Sequence, residues 1–248
     1  MKIKPRKPNI DEKKHVSYSK TTEKILLKWL REKYGDDEGL RIFEEGIKNF
    51  EDMCLNDILF IGGKENPMGT MLYDNLMCVA CWEAESKKST IEELDALVLE
   101  TSFGKRGRTQ LPSWFNGDNK VIIAILTFVY KLWAKGIHKK FIEGKLGDYW
   151  DAEVNVDPMP EGVQFVLHRC PIYEGMKKRD HLDLMPAMWN PDYENFGVKN
   201  LVLVRPKIVA NGDTVCDHRI VGKNSKLAKN SPAYINDKGL LINDLPKK

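Results

Sequence analysis

The apolar positions of the first half of the chain repeat at helical spacing. Ile25, Leu26, Trp29 and Leu30 fall on one side of a helix opening near Thr21 or Thr22, because residues three and four apart stack on the same face. A second helix carries Leu40, Ile42, Phe43, Ile47 and Phe50 behind Asp36, Asp37 and Glu38, whose negative charge suits a helix N-terminus. Gly62-Gly63 breaks the pattern, and a third apolar segment covers about Thr70 to Glu85. Ser89-x-x-Glu92 reads as a capping box for a short helix through Leu94, Leu97 and Val98. After a polar loop over Thr101–Gly117, Asp118 or Asn119 caps a long helix striped with Val121, Ile122, Ile125, Val129, Leu132, Trp133 and Ile137.

The second half changes period. Ala152–Val156 and Val163–Arg169 read as strands separated by a turn-rich break over Asp157–Gly162. A helical stretch around His181–Met188 follows, interrupted at Asn190-Pro191. Leu201–Val209 and Thr214–Val221 then flank Asn211-Gly212, a strong hairpin signal. Pro206 marks the first arm as an edge strand or a bulge, since proline cannot donate to a ladder. Helices first and strands later predict an α+β fold, an N-terminal helical region packed on a C-terminal, mostly antiparallel sheet. The expected organisation is a basic, mobile arm over 1–20, one domain over 21–223 (helical part 21–145, sheet part 150–223) and a peripheral tail over 224–248.

Composition adds limits. The chain has 248 residues, 42% apolar and 30% charged, enough to bury a core without staples. Much of its net charge of +3 sits in the first twenty residues, which read as a solvated arm, not a nucleic-acid contact. The longest apolar run, Val121–Tyr130, is shorter than the roughly 20 residues a bilayer demands. The expectation is therefore a partner list without nucleic acid or membrane, with a homo-oligomer left open. Five cysteines and no signal-like apolar core at the N-terminus suggest reduced thiols in a cytoplasm.

The candidate chemistry concentrates in Cys216-Asp217-His218-Arg219. Strand alternation puts Cys216 and His218 on one face with Thr214 and Ile220, and Asp217 and Arg219 on the other. The earlier strand end splits likewise into His168 and Cys170 against Leu167 and Arg169. Paired in register, His168, Cys170, Cys216 and His218 would offer two imidazoles and two thiols, a ligand set for a divalent metal. The plain alternative is two cysteines filling the core. Asp217 and Arg219 are either a structural ion pair or a clamp for a small ligand. His181, within Arg179-Asp180-His181-Leu182-Asp183, is a candidate general base oriented by a carboxylate. Cys78-Val79-Ala80-Cys81 lacks a second such motif and reads as core. Lys105, Arg106 and Arg108 read as a solvated loop.

Two stretches carry a family resemblance. Arg169-Cys170-Pro171 before a helical connection, and Gly212-Asp213-Thr214-Val215-Cys216-Asp217-His218-Arg219 at the end of a hairpin, resemble the L-2-amino-thiazoline-4-carboxylic acid hydrolase family over roughly residues 120–221. That family's signature reads like Gly-Asp-x-x-Cys-Asp-Phe-Arg, so His218 stands where phenylalanine is usual. Where the family often has a cysteine followed by an acid in the connection, this chain has Met188-Trp189-Asn190-Pro191-Asp192, with an acid and no thiol.

The resemblance implies hydrolysis of a small cyclic amidine. Water adds to the carbon between nitrogen and sulfur, and the carbon–sulfur bond opens to an N-carbamoyl cysteine. It implies catalytic work for Cys216, Asp217, Cys170 and His181, and substrate binding by Arg219, His218 and Arg169. No cofactor is expected, although a divalent metal stays open. The competing readings are a non-catalytic small-ligand or metal-binding sensor, and a scaffold in which the motif survives as packing.

Overall fold

In a computed structural model, the described residues are 17–58, 60–66, 68–102, 112, 114–146, 157–159 and 161–246. Four helices form the first layer: α1 (Lys20–Tyr34), α2 (Asp36–Asp52), α3 (Gly69–Ala84) and α4 (Ile91–Ser102). α1 starts one turn before its first apolar residue because Ser19 Oγ accepts from Thr22 N–H at 3.1 Å. The same residue donates its own N–H to Asp74 of α3, at 2.6 Å. The expected arm is therefore folded at its end, with Tyr18 buried edge-on against Phe50; residues 1–16 lie outside the described residues.

α3 is buried around most of its circumference, from Leu72 to Cys81, the signature of a central helix. Cys78 and Cys81 are core residues: Cys78 Sγ lies 3.3 Å from Thr101 Oγ1. A Cβ placed on Gly46 of α2 would come 2.7 Å from Cys81 Sγ, so a small residue on each helix sets how closely α2 and α3 approach. The capping box that opens α4 lies one residue later than expected. Thr90 Oγ1 accepts from Glu93 N–H and Glu93 Oε2 accepts from Thr90 N–H, because Ser89 is already held by Glu85.

Helix α5 (Lys120–Ile142) is capped by Asn119, whose Oδ1 accepts from Val121 N–H. Its 23 residues carry the apolar segment beyond the run Val121–Tyr130. Leu132, Trp133, Ile137, Phe141 and Ile142 continue the apolar pattern past Tyr130. By length and composition alone the helix is long and apolar enough to cross a membrane.

The sheet is antiparallel, in the order β1 (Asp157–Met159), β2 (Gly162–Leu167), β4 (Cys216–Gly222), β3 (Leu201–Lys207). The expected strand over 152–156 lies outside the described residues; pairing begins at Asp157, opposite Gln164. Between β2 and β3 run three short helices, α6 (Pro171–Lys178), α7 (Met185–Trp189) and α8 (Pro191–Phe196). Both readings of Pro206 hold: β3 is an edge strand, and its register slips between Val204 and Lys207.

The tail is docked, not peripheral. After α9 (Lys226–Asn230), β5 (Ala233–Ile235) and β6 (Leu241–Asn243) form a hairpin that buries Leu240 and Ile242. Asn243 Oδ1 accepts from Arg205 N–H at 2.7 Å, so β6 satisfies part of the open edge of β3. One hydrophobic cluster runs from Leu26 and Phe43 in the helices to Val163 and Ile220 in the sheet.

Candidate active site

The register of β2 on β4 decides what the tetrapeptide faces. Phe165 pairs with His218 and Leu167 with Cys216, and paired residues project to the same side. The imidazole lies flat on the Phe165 ring, with centroids 4.6 Å apart and planes 3° from parallel. Phe165 in turn stacks on Tyr130 of α5 at 5.7 Å. Phe165, backed by Tyr130, and Phe196, edge-on at 6.4 Å, thus hold the imidazole plane in place.

A pocket opens on this side of the sheet. Met68, Met71 and Leu72 at the start of α3 form one wall; Cys170, Pro171, Trp189, Asp192 and Phe196 form the other. Phe165, Leu167, Cys216 and His218 supply the floor, with Arg169 also lining it. Its cavity volume is ≈ 60 Å³, open at the mouth. The lining is mostly apolar with a few convergent polar groups, the composition of a small-molecule site. A second hollow, at the far end of the sheet, holds Asp118 and Glu161. Both carboxylates there already accept backbone N–H groups, from Asn224 and Lys226.

The polar part of the pocket is built around Arg205, whose side chain has no exposed surface. Its Nη1 donates to Asp192 Oδ2 at 3.0 Å and to the Trp189 carbonyl at 3.1 Å. Nη2 donates to the Leu241 carbonyl at 3.1 Å, and the guanidinium lies over the Tyr193 ring. Asp192 is thereby fixed with its Oδ2 3.9 Å from His218 Nε2. That distance exceeds a hydrogen bond but lets the carboxylate stabilise a positive imidazole. His218 Nδ1 and Trp189 Nε1 are buried and make no hydrogen bond. Buried orphans of this kind are uncommon and call for a partner or a role.

The thiols are placed differently from expectation. A guanidinium beside Cys216 would be expected to lower its pKa. Burial outweighs that effect and pushes the thiol up to about 11, although Arg205 and the Val209 N–H pull the other way. Burial also raises Cys170 well above the ordinary thiol value. Cys170 Sγ is engaged as the N-cap of α6, accepting from Tyr173 N–H at 3.3 Å. Both thiols are protonated near neutrality, so neither is a ready nucleophile.

The other sequence candidates are not brought to this pocket. Asp217 and Arg219 lie on the opposite face of β4, bonded to each other (Arg219 Nη2 to Asp217 Oδ2, 2.8 Å). Gln164 Nε2 donates to the same carboxylate at 2.8 Å, so the structural ion pair is the arrangement observed. His181 is oriented by a carboxylate, but by Glu83 of α3, at 3.0 Å. It belongs to a cluster in which Arg179 also bonds Asp52, Asp57 and Glu83.

Of the four metal-ligand candidates, Cys170, Cys216 and His218 line the pocket and His168 does not. Among the described residues no three His, Cys, Asp or Glu side chains are grouped to hold a metal ion. Lys105, Arg106 and Arg108 lie outside the described residues.

Sequence reasoning missed Arg205 and gave no role to Trp189 and Asp192, although it noted the acid of that connection. Arg205 carried a readable signal: it follows Leu201 and Leu203 at strand spacing, so it belongs on their buried side, where a cation requires a partner.

An α+β protein with a small-molecule pocket between sheet and helices, carrying imidazole, carboxylate and thiol groups, is the class these features define. The family profile for L-2-amino-thiazoline-4-carboxylic acid hydrolase matches residues 72–220. More than half of the chain is covered, and the chain belongs to that family. The matched span includes the pocket walls from Leu72 and the floor through His218. No curated protein and no solved structure matches the chain.

Proposed function

We propose that the protein hydrolyses a small cyclic amidine of the 2-amino-thiazoline-4-carboxylate type in the pocket beneath β2 and β4. The observation that carries this reading is the meeting of His218 and Asp192, 3.9 Å apart, in one largely apolar pocket. Membership of a hydrolase family supports hydrolysis of such a ring; the imidazole at position 218, where that family usually has phenylalanine, is a feature of this chain.

The roles follow from chemistry. Asp192, fixed by Arg205, accepts the N–H groups of the amidine and keeps its carbon electrophilic. His218 takes a proton from a water molecule as its oxygen adds to the carbon between nitrogen and sulfur. Asp192 lowers the energy of the imidazolium that forms. The added oxygen gives its remaining proton to the ring nitrogen and becomes the carbonyl oxygen as the carbon–sulfur bond breaks, and the imidazolium returns its proton to the departing sulfur. The product is an open-chain N-carbamoyl amino thiol, and atoms and charge balance against one added water. Arg169 at the pocket wall is the cation for the substrate carboxylate. Cys170 and Cys216 shape the floor as neutral thiols.

The test is to incubate the purified protein with L-2-amino-thiazoline-4-carboxylate. Release of free thiol and formation of the carbamoyl product by mass are expected. No product together with no detectable binding of the compound overturns the assignment.

A further inference from the structure

Helix α5 has two sides of different chemistry. Ile123, Tyr130 and Ile137, seven residues apart, lie on its protein side: Ile123 and Ile137 are buried, and Tyr130 stacks on Phe165. The opposite side is apolar and uncovered. Val121, Ile125, Phe128 and Leu132 are 65%, 51%, 61% and 52% exposed. They follow one another at intervals of four, three and four residues, the spacing of a coiled-coil seam. Ala124 and Val129 flank them, also exposed.

This band reads the same in both directions. Turned end for end about a point between Leu126 and Thr127, Val121 meets Leu132 and Ile125 meets Phe128. The same rotation brings Asp118, just before the helix and bonded to Asn224 through both carboxylate oxygens, to the level of the exposed Lys135. Each end of such a pair therefore sets unlike charges at one height. Lys131, on the flank of the seam, falls beside the small Ala124 of the other helix and not beside another cation. Each copy presents on the order of 500 Å² here, so a pair covers about the 1,000 Å² at which specific interfaces begin. A bilayer fits less well: the band is only about three turns long, Lys131 interrupts it, and the other side of the helix packs on the sheet.

We propose that the exposed face of α5 is the surface on which two copies of this chain pair, with their α5 helices antiparallel. The test uses the full chain in sedimentation velocity and in cysteine cross-linking, which the five buried native thiols leave readable. A dimer is expected, and Phe128→Asp or Ile125→Asp should sediment as a monomer with unchanged far-ultraviolet circular dichroism. Phe128→Cys should cross-link to itself, being only about 5 Å from its symmetry mate along the axis. Val121→Cys alone should not, but should link to Leu132→Cys when the two variants are mixed. A wild-type monomer at every concentration reached overturns the proposal. So does a dimer indifferent to Phe128→Asp, or self-linking of Val121→Cys, which signals parallel helices. Monomers that co-float with phosphatidylglycerol vesicles would assign the face to a membrane surface instead.

Discussion

His218 and Phe165 are paired across β4 and β2 with their rings 4.6 Å apart and 3° from parallel. The stack is a shape requirement that phenylalanine also meets, whereas the proton chemistry proposed for position 218 is open only to the imidazole. His218→Phe should therefore keep the fold, by circular dichroism and thermal midpoint, and lose about 10²–10⁴-fold in turnover of the thiazoline. Undiminished turnover would remove His218 as the base.

The thiols offer a second check. Burial holds Cys216 at about 11 and Cys54 at about 12, so the native protein should react slowly with iodoacetamide at neutral pH and take up five equivalents only when unfolded. Cys216→Ala should lose about 1 kcal/mol of stability or somewhat more and keep turnover of the same order. Loss of all turnover in that variant would return Cys216 to the role of nucleophile.

Arg205 is tied to three oxygens on three segments, Trp189, Asp192 and Leu241. Arg205→Met leaves these acceptors without their donor. The expected cost is about 3 kcal/mol in urea denaturation, near the low end for a broken buried pair because Asp192 keeps some solvent contact. The same variant should expose the β5–β6 hairpin to proteolysis before the rest of the chain. Equal cleavage rates in wild type and variant would show that the hairpin is held by other contacts.

Asp95 on α4 has its pKa raised to about 6 from 3.8, first by burial and then by Glu194 and Glu92. A carboxyl raised in the folded state favours folding while protonated and loses that advantage as pH rises through the folded pKa. The loss runs from about pH 4 to about pH 6 and persists above. The full shift is worth about 3 kcal/mol, reduced to about 1–2 for a half-buried group. Asp95→Asn should be more stable than wild type at pH 7.5 and nearly equal to it at pH 4. An equal difference at both values would mean that the gain is not electrostatic.

Much of the architecture was legible because local signals and packing agree. The apolar stripes of α1 and α2 coincide with their buried sides, whereas Val121, Ile125, Val129 and Leu132 of the stripe read for α5 are exposed; Asn211-Gly212 does lie between the two arms of the hairpin. Alternation alone divided Cys216 and His218 from Asp217 and Arg219, and the structure keeps that division. What the sequence could not say was which side opens to a pocket. That depends on helices far away in the chain, the start of α3 and the α7–α8 connection, meeting the sheet.

Asp192 was hidden because Asn190-Pro191-Asp192 has the composition of a turn, and only its contact with Arg205 makes it part of a site. The tail was misjudged for a similar reason. Leu240, Leu241 and Ile242 are too few to signal an element alone, and their burial comes from the edge of β3.

The slip in β3 has its own consequence. Val204 stands opposite Arg219 and Lys207 opposite Asp217, so three steps along one strand match two along its neighbour, with Pro206 in the surplus. This acts as a phase correction. Without it Lys207 would turn inward beside the Arg205 guanidinium and Ile208, now fully enclosed, would swing out into water. Because the strand has no ladder on its far side at that point, the correction disturbs one set of pairings only, and a chain could acquire it by inserting a single codon.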